Sequence, residues 1–236
     1  MSFSNILTSK VFNFLNSNAT YAVLRNYEGL PEINISRDID ILIEKKQYVK
    51  IEQKLIDLII SESFKIISSY RSEKVITLVC AKLYDSKIDL VQFDFFFNTS
   101  IFGVYLLNVK NVLDSRAYNG NIYHVSKEYE FLDKYLQIKF LGKDYPKKYN
   151  KLKNEIKDSI TFKKIIKNIF GVNNISALAN MSTFCFRFKI LFRNLKREPF
   201  IQIKFILEFL MNYVRNFFSY SGFSIGFSGP DGSGKT

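Results

Sequence analysis

Two stretches of this chain carry residue types and spacings suited to phosphate chemistry. The first is SRDIDILIE, from Ser36, where Asp38 and Asp40 lie two apart in an alternating apolar pattern. On a strand, residues two apart leave the same face, so both carboxylates would project together while Ile39 and Ile41 point the other way. That geometry can hold two magnesium ions. A third carboxylate is expected from Asp89 in KIDLVQFD, on a neighbouring strand. Asp89 shares a face with Val91, Phe93 and Phe95, where an unpaired carboxylate is costly to bury and a metal would offset the cost. Asp94, five positions on, faces the opposite way and is the weaker candidate. Such a triad can bridge a triphosphate and an attacking hydroxyl, lower the hydroxyl's pKa and stabilise departing pyrophosphate. The same DxD pattern also fits an edge strand with two solvated aspartates.

The second stretch is FSGPDGSGKT, residues 227–236. In GxxxxGKT, Gly229 and Gly234 permit a compact loop, running through Gly232 and Ser233, whose backbone N–H groups point at phosphate oxygens. Lys235 would reach the terminal phosphates and Thr236 would hold Mg2+ through its hydroxyl. FSIGF supplies the apolar strand that feeds such a loop. The helix that normally follows is absent after Thr236, so the expectation is a fragment of a longer protein.

Composition bounds the rest. With 236 residues, 47% of them hydrophobic, the chain can bury one good-sized core or two small ones. The first twenty residues lack a charged start followed by an uninterrupted apolar run, so no secretory signal is expected. The longest apolar stretch, PFIQIKFILEFLMNYVRNFF, contains Lys204, Glu208 and Arg215, and is not expected to span a membrane. Cys80 and Cys185 suggest neither a zinc site nor a disulfide framework, in keeping with the cytoplasm. The only histidine, His124, reads as an exposed residue on the second strand of a hairpin. The net charge of +12 is unevenly spread: residues 1–133 hold 15 Lys and Arg against 16 Asp and Glu, whereas residues 134–236 hold 19 against 6. The basic half fits either lysines solvating the outer faces of helices or contact with an anionic partner.

The elements that must position these groups follow from periodicity. Residues 3–18 have the apolar spacing of one helix face, with Ser2 or Ser4 able to cap it. YAVLRNY and SRDIDILIE read as strands, 45–61 as a helix, and FKIISSY, KVITLVCAKLY and KIDLVQFDFFF as three further strands. This order predicts an α/β or α+β domain on a small mixed sheet. AYNGNIYHV reads as a hairpin about Asn119-Gly120. A helix is expected over 127–141, capped by Ser126 and ended by Gly142, then a single helix from Pro146 to Gly171. Two basic, aromatic-rich helices should follow over 174–218, divided near Pro199.

VLRNYEGLPEINISRDIDILI, KIDLV and SKEYEFLDKYLQIKFLGKDYPKKY together resemble the minimal nucleotidyltransferase-fold domain of bacterial polysaccharide-biosynthesis proteins. In that group a helical linker joins the domain to a P-loop domain similar to thymidylate kinase, and GFSIGFSGPDGSGKT resembles the start of that second domain. The resemblance implies a nucleotidyltransferase-like domain over 1–125, a basic helical linker over 126–218 and the beginning of a kinase-like domain over 219–236. It also implies that Asp38, Asp40 and Asp89 bind metal, that Gly229, Gly234, Lys235 and Thr236 bind the phosphates of ATP, and that Asp231 sits beside the phosphoryl acceptor. The fold usually carries a Gly-Ser or Gly-Gly pair ahead of the aspartates; here the residues are Leu24-Arg25-Asn26. Arg25, with Lys139 or Lys148, would then contact phosphate as a charged donor.

The expected activity is Mg2+-dependent transfer of an NMP unit from an NTP to a hydroxyl on a sugar or lipid-linked acceptor, with nucleic acid not expected as a partner. The alternative is a nucleotide-binding or scaffolding module without turnover. The basic linker would bring either version to an anionic membrane surface.

Overall fold

A computed structural model describes residues 2–34, 36, 38–85 and 87–218. Its framework is a seven-stranded mixed sheet in the order β3-β4-β5-β2-β1-β9-β8. The strands are β1 (Tyr21–Val23), β2 (Asp38–Ile43), β3 (Lys65–Arg71), β4 (Val75–Tyr84), β5 (Lys87–Phe96), β8 (Ala117–Tyr118) and β9 (Tyr123–His124). β2 runs parallel to β5 and antiparallel to β1, while β3, β4 and β5 form an antiparallel meander. Strand alternation divides the apolar residues between two cores.

On one face, Ile39, Ile41 and Ile43 of β2 join Leu78 and Cys80 of β4 and Val91, Phe93 and Phe95 of β5. Helices α1 (Phe3–Asn18) and α2 (Lys45–Ser61) cover them with Leu7, Val11, Phe12 and Leu15 and with Tyr48, Ile51, Leu55 and Ile59. Both helices bury the stripe that their periodicity predicts. Ser2 caps α1 by accepting from the Asn5 N–H.

On the opposite face, Ala22, Leu24 and Leu42 meet α3 (Val109–Asp114) and α4 (Lys127–Phe140), whose Leu132 and Leu136 are fully buried. The same cluster continues through α6 (Ile160–Phe170) and α8 (Thr183–Arg197), so its packing crosses residue 125 without a break. A short hairpin, β6 (Ser100–Ile101) and β7 (Val104–Tyr105), leads into this face. Its turn residues Phe102 and Gly103 both have positive φ, as a two-residue hairpin turn requires. Helix α9 (Pro199–Phe218) lies against that turn: a Cβ on Gly103 would stand 3.0 Å from Phe209 Cβ. Buried Gln202 donates to the Gly103 carbonyl, and buried Asn194 donates to Gln202 and to the Tyr105 carbonyl, tying α8 and α9 to the hairpin.

The helical half is more divided than periodicity suggests. A 3-10 turn (Lys147–Tyr149), α5 (Asn150–Ile156) and α6 replace the single helix expected between Pro146 and Gly171. Ser159 causes the break, capping α6 by accepting from the Phe162 N–H while donating to Glu128 Oε1. Asn174 and Ser182 likewise start α7 (Ile175–Asn180) and α8 by accepting from Ala177 and Cys185. Short polar caps outweighed the continuous apolar spacing. Gly142 and Gly171 both take the left-handed conformation that ends a helix. Among the described residues, no helix is long and apolar enough to cross a membrane.

Candidate active site

Asp38 and Asp40 leave the sheet on the face opposite Ile39 and Ile41, as their spacing requires. The parallel register sets Asp40 beside Asp94 of β5 and Asp38 beside Gln92. The carboxylate oxygens offered by Asp38, Asp40 and Asp94 all lie within 4.8 Å of one another. A set of hard oxygen donors at this spacing suits a divalent cation such as Mg2+.

The third member is therefore Asp94, and Asp89 stands apart. Asp89 does share a face with Val91, Phe93 and Phe95, but that face belongs to the α1/α2 core. At its edge the Asp89 carboxylate accepts the Ser4 N–H at 2.8 Å, at the start of α1. A helix N-terminus supplies the positive potential that a metal was expected to supply. The deciding signal is register: parallel pairing with β2 selects the even-numbered residues of β5, which strand parity alone does not reveal. Asp89→Ala should cost about 0.5–1 kcal/mol of stability, the worth of a helix-terminal carboxylate, and leave divalent-cation binding intact. Asp94→Ala should abolish cation binding. Thermal melts with and without Mn2+ separate the two, and the opposite pattern would restore Asp89 to the site.

Each carboxylate is held differently. Thr77, across from Asp94 on β4, donates to Asp94 Oδ1 at 2.6 Å, and the Gln92 amide lies within 3.2 Å of both Asp94 oxygens. Asp40 is 3% exposed. Its Oδ2 accepts from Arg25 Nε at 2.5 Å, while its Oδ1 is buried without a hydrogen-bond partner among the described residues. A buried anionic oxygen lacking a donor is costly unless a cation reaches it. Burial pushes the Asp40 pKa upward, the Arg25 charge and hydrogen bond pull it down, and Asp38 and Asp94 add to the rise; the net direction is up.

Arg25 lies just beyond β1, where the Leu24 N–H donates to the Asp40 carbonyl at 2.9 Å. Burial works against its charge, but Asp40, then Asp133 and Asp38, outweigh this and hold its pKa above the ordinary value. The next residue, Asn26, has φ of 54°, the left-handed region favoured by glycine and tolerated by asparagine. The backbone thus takes a glycine-like bend at Asn26. Arg25 meets a carboxylate of the site itself, rather than standing free for phosphate.

Sequence reasoning missed Asp133, on α4. Its carboxylate accepts from the Gln137 amide at 2.9 Å through both oxygens. Burial raises its pKa against the opposing pull of Gln137, Arg25, Lys74 and Lys134. Lys74, whose Nζ donates to the Ser100 carbonyl, is pushed down by burial and held up in part by Asp133. The clue was a charge inside the apolar stripe of FLDKYL. A carboxyl with a raised folded-state pKa binds its proton more tightly when folded, so its presence lowers stability as pH rises from about 4, the unfolded value, through the folded pKa. Asp133→Asn should therefore raise the melting midpoint at pH 7 and make no difference at pH 4. Melts across that interval check it; a variant less stable at pH 7 than the parent would show that the Arg25 and Lys74 attractions dominate.

The remaining predicted residues fall outside this cluster. Lys139 donates to the Ala179 carbonyl, and the Lys148 side chain lies outside the described residues. So does the whole loop comprising Gly229, Asp231, Gly232, Ser233, Gly234, Lys235 and Thr236. His124 is on the second strand of its hairpin as expected, but half-buried: its ring stacks on Tyr27 at 4.1 Å and Nδ1 meets the Val125 carbonyl oxygen. No protein-family model, curated protein or solved structure matches this chain.

Proposed function

We propose that this chain is a divalent-cation-dependent nucleotidyltransferase, passing an NMP unit from an NTP to a hydroxyl group. The observations that carry this reading are the convergence of Asp38, Asp40 and Asp94 within 4.8 Å and a buried Asp40 oxygen that has no donor among the described residues. A magnesium ion held by these three carboxylates would neutralise phosphate charge and favour ionisation of the attacking hydroxyl. Asp94, oriented by Thr77 and Gln92, takes the acceptor's proton. The acceptor oxygen then bonds to the α-phosphorus, the bond from that phosphorus to the bridging oxygen breaks, and pyrophosphate leaves. Arg25, a third exposed at its side chain, turns from Asp40 toward the departing phosphates. A sugar or lipid-linked acceptor in surface-glycan synthesis, at the inner face of a membrane, fits the resemblance of VLRNYEGLPEINISRDIDILI and its neighbours. The loop ending in Lys235 and Thr236 would serve, in this reading, an ATP-dependent kinase-like activity.

The test is Mg2+-dependent pyrophosphate release from ATP, GTP, CTP and UTP, with glycerol and simple sugars offered as hydroxyl acceptors. Release that requires both Mg2+ and an acceptor supports transfer. Failure of every nucleotide, with nucleotide binding retained, favours a second reading in which the domain is a nucleotide-binding module without turnover. One observation speaks for that second reading: the Arg25 guanidinium already neutralises Asp40, as a permanent substitute for a metal would.

A further inference from the structure

Helix α8 is apolar on two opposite sides. Phe186, Ile190 and the buried amide of Asn194 face the protein. At about 3.6 residues per turn, Phe184, Phe188, Phe192 and Leu195 fall on the other side. The three phenylalanines are 79%, 58% and 63% exposed, and their rings stack along the helix with centroids 6.3 Å apart in each step. A ladder of this kind is not explained by the fold, because the core-facing side is already satisfied.

The charges beside it are of one sign. α8 contains Arg187, Lys189, Arg193, Lys196 and Arg197 and no acidic residue. Arg187 and Arg193 are used internally, donating to the Phe140 carbonyl and to Asn194. Lys189 and Lys196, which border the phenylalanine face, form no ion pair among the described residues. A cleft of about 630 Å³ between the end of α6 and α8 is floored by Ile169, Phe170, Phe188 and Phe192, with cations of α8 at its edge and no carboxylate. On α9, by contrast, Lys204 is paired with Glu208.

We propose that the Phe184, Phe188 and Phe192 face of α8 seats this chain on an anionic phospholipid surface. Charge complementarity selects this occupant. An apolar face edged by unpaired lysines matches a helix lying in the plane of the bilayer interface, with rings among the upper acyl carbons and ammonium groups at lipid phosphates. With no spanning helix among the described residues, attachment through this face is peripheral.

The test is flotation of the 236-residue chain with vesicles of phosphatidylcholine alone and of phosphatidylcholine mixed with phosphatidylglycerol. The chain should float with the mixed vesicles only, and less as salt rises. K189E/K196E should weaken that binding about 30-fold or more, from the loss of two lysines at an anionic surface. F188S/F192S should weaken it comparably, and both variants should keep the parent's melting midpoint because all four positions are exposed. Equal binding to both vesicle types, or variants that float like the parent, would overturn the proposal. Absence of flotation, together with a dimer that F188S/F192S dissociates, would instead assign the face to a second copy of the chain. Flotation needs no nucleotide or turnover, so its outcome stands apart from that of the carboxylate site.

Discussion

Asp40→Asn should lower pyrophosphate release on the order of 10³-fold, a loss comparable with removing a principal electrostatic element of an active site, while leaving the protein folded. The asparagine keeps an oxygen facing the site but gives up the charge that a cation requires. Arg25 loses its partner, yet one third of its side chain is exposed and water can replace the carboxylate. Burial already opposes ionisation of Asp40, so neutralising it relieves as well as removes an interaction. The net change in stability should be smaller than the about 3–5 kcal/mol that removing one partner of a fully buried ion pair costs. Mg2+-induced protection, which for the parent should reach about 2.7 kcal/mol at a hundred times the dissociation constant, should vanish. Denaturant midpoints with and without Mg2+ provide the measurement; an Asp40→Asn protein that still gained Mg2+ protection would place the cation elsewhere.

The largest effect on the fold itself should come from Phe93→Ala. Phe93 is fully buried in β5, between Ile39 of β2 and Leu78 of β4 in the sheet and stacked near Phe95. Truncating a buried phenylalanine costs about 3–5 kcal/mol, through lost transfer energy and the cavity left behind. That is a large share of a domain's usual stability of about 5–15 kcal/mol. Phe93 neighbours Asp94 in sequence but points to the opposite core, so its loss should reduce activity only in proportion to the unfolded fraction. Equilibrium denaturation should show a lower midpoint with an unchanged slope. The paired outcomes separate chemistry from architecture: Asp40→Asn folded and inactive, Phe93→Ala destabilised and active where folded. A Phe93→Ala protein that was fully folded but inactive would mean that the two faces of β5 are not independent.

The strands and the first two helices were legible because each obeys a single period. β2, β3, β4, β5, α1 and α2 follow their predicted stretches closely, since one buried face decides each. The pairing of those strands was not legible. It comes from contacts between segments far apart in the chain, and it alone exchanges Asp89 for Asp94. Asp38 and Asp40 could be found because a local spacing of two fixes their shared face. Arg25 was found as a charge, but its partner was not, because the hydrogen bond to Asp40 spans the turn between β1 and β2. Thr77 escaped notice for the same reason, reaching Asp94 from a strand whose pairing depends on tertiary packing, and so did Asp133 and Lys74, whose charges act on one another across elements far apart in sequence. In the helical half, Ser159 and Ser182 marked breaks that the apolar spacing concealed; polar caps there carry more information than periodicity.

The most direct measurement is isothermal titration of the 236-residue chain with ATP, GTP, CTP and UTP, with Mg2+ and with EDTA, alongside Asp40→Asn. The expected result is binding of at least one triphosphate that requires Mg2+ and is lost in the variant. Binding unaffected by EDTA and by Asp40→Asn, or no binding of any triphosphate, would contradict a cation-dependent nucleotide site at Asp38, Asp40 and Asp94.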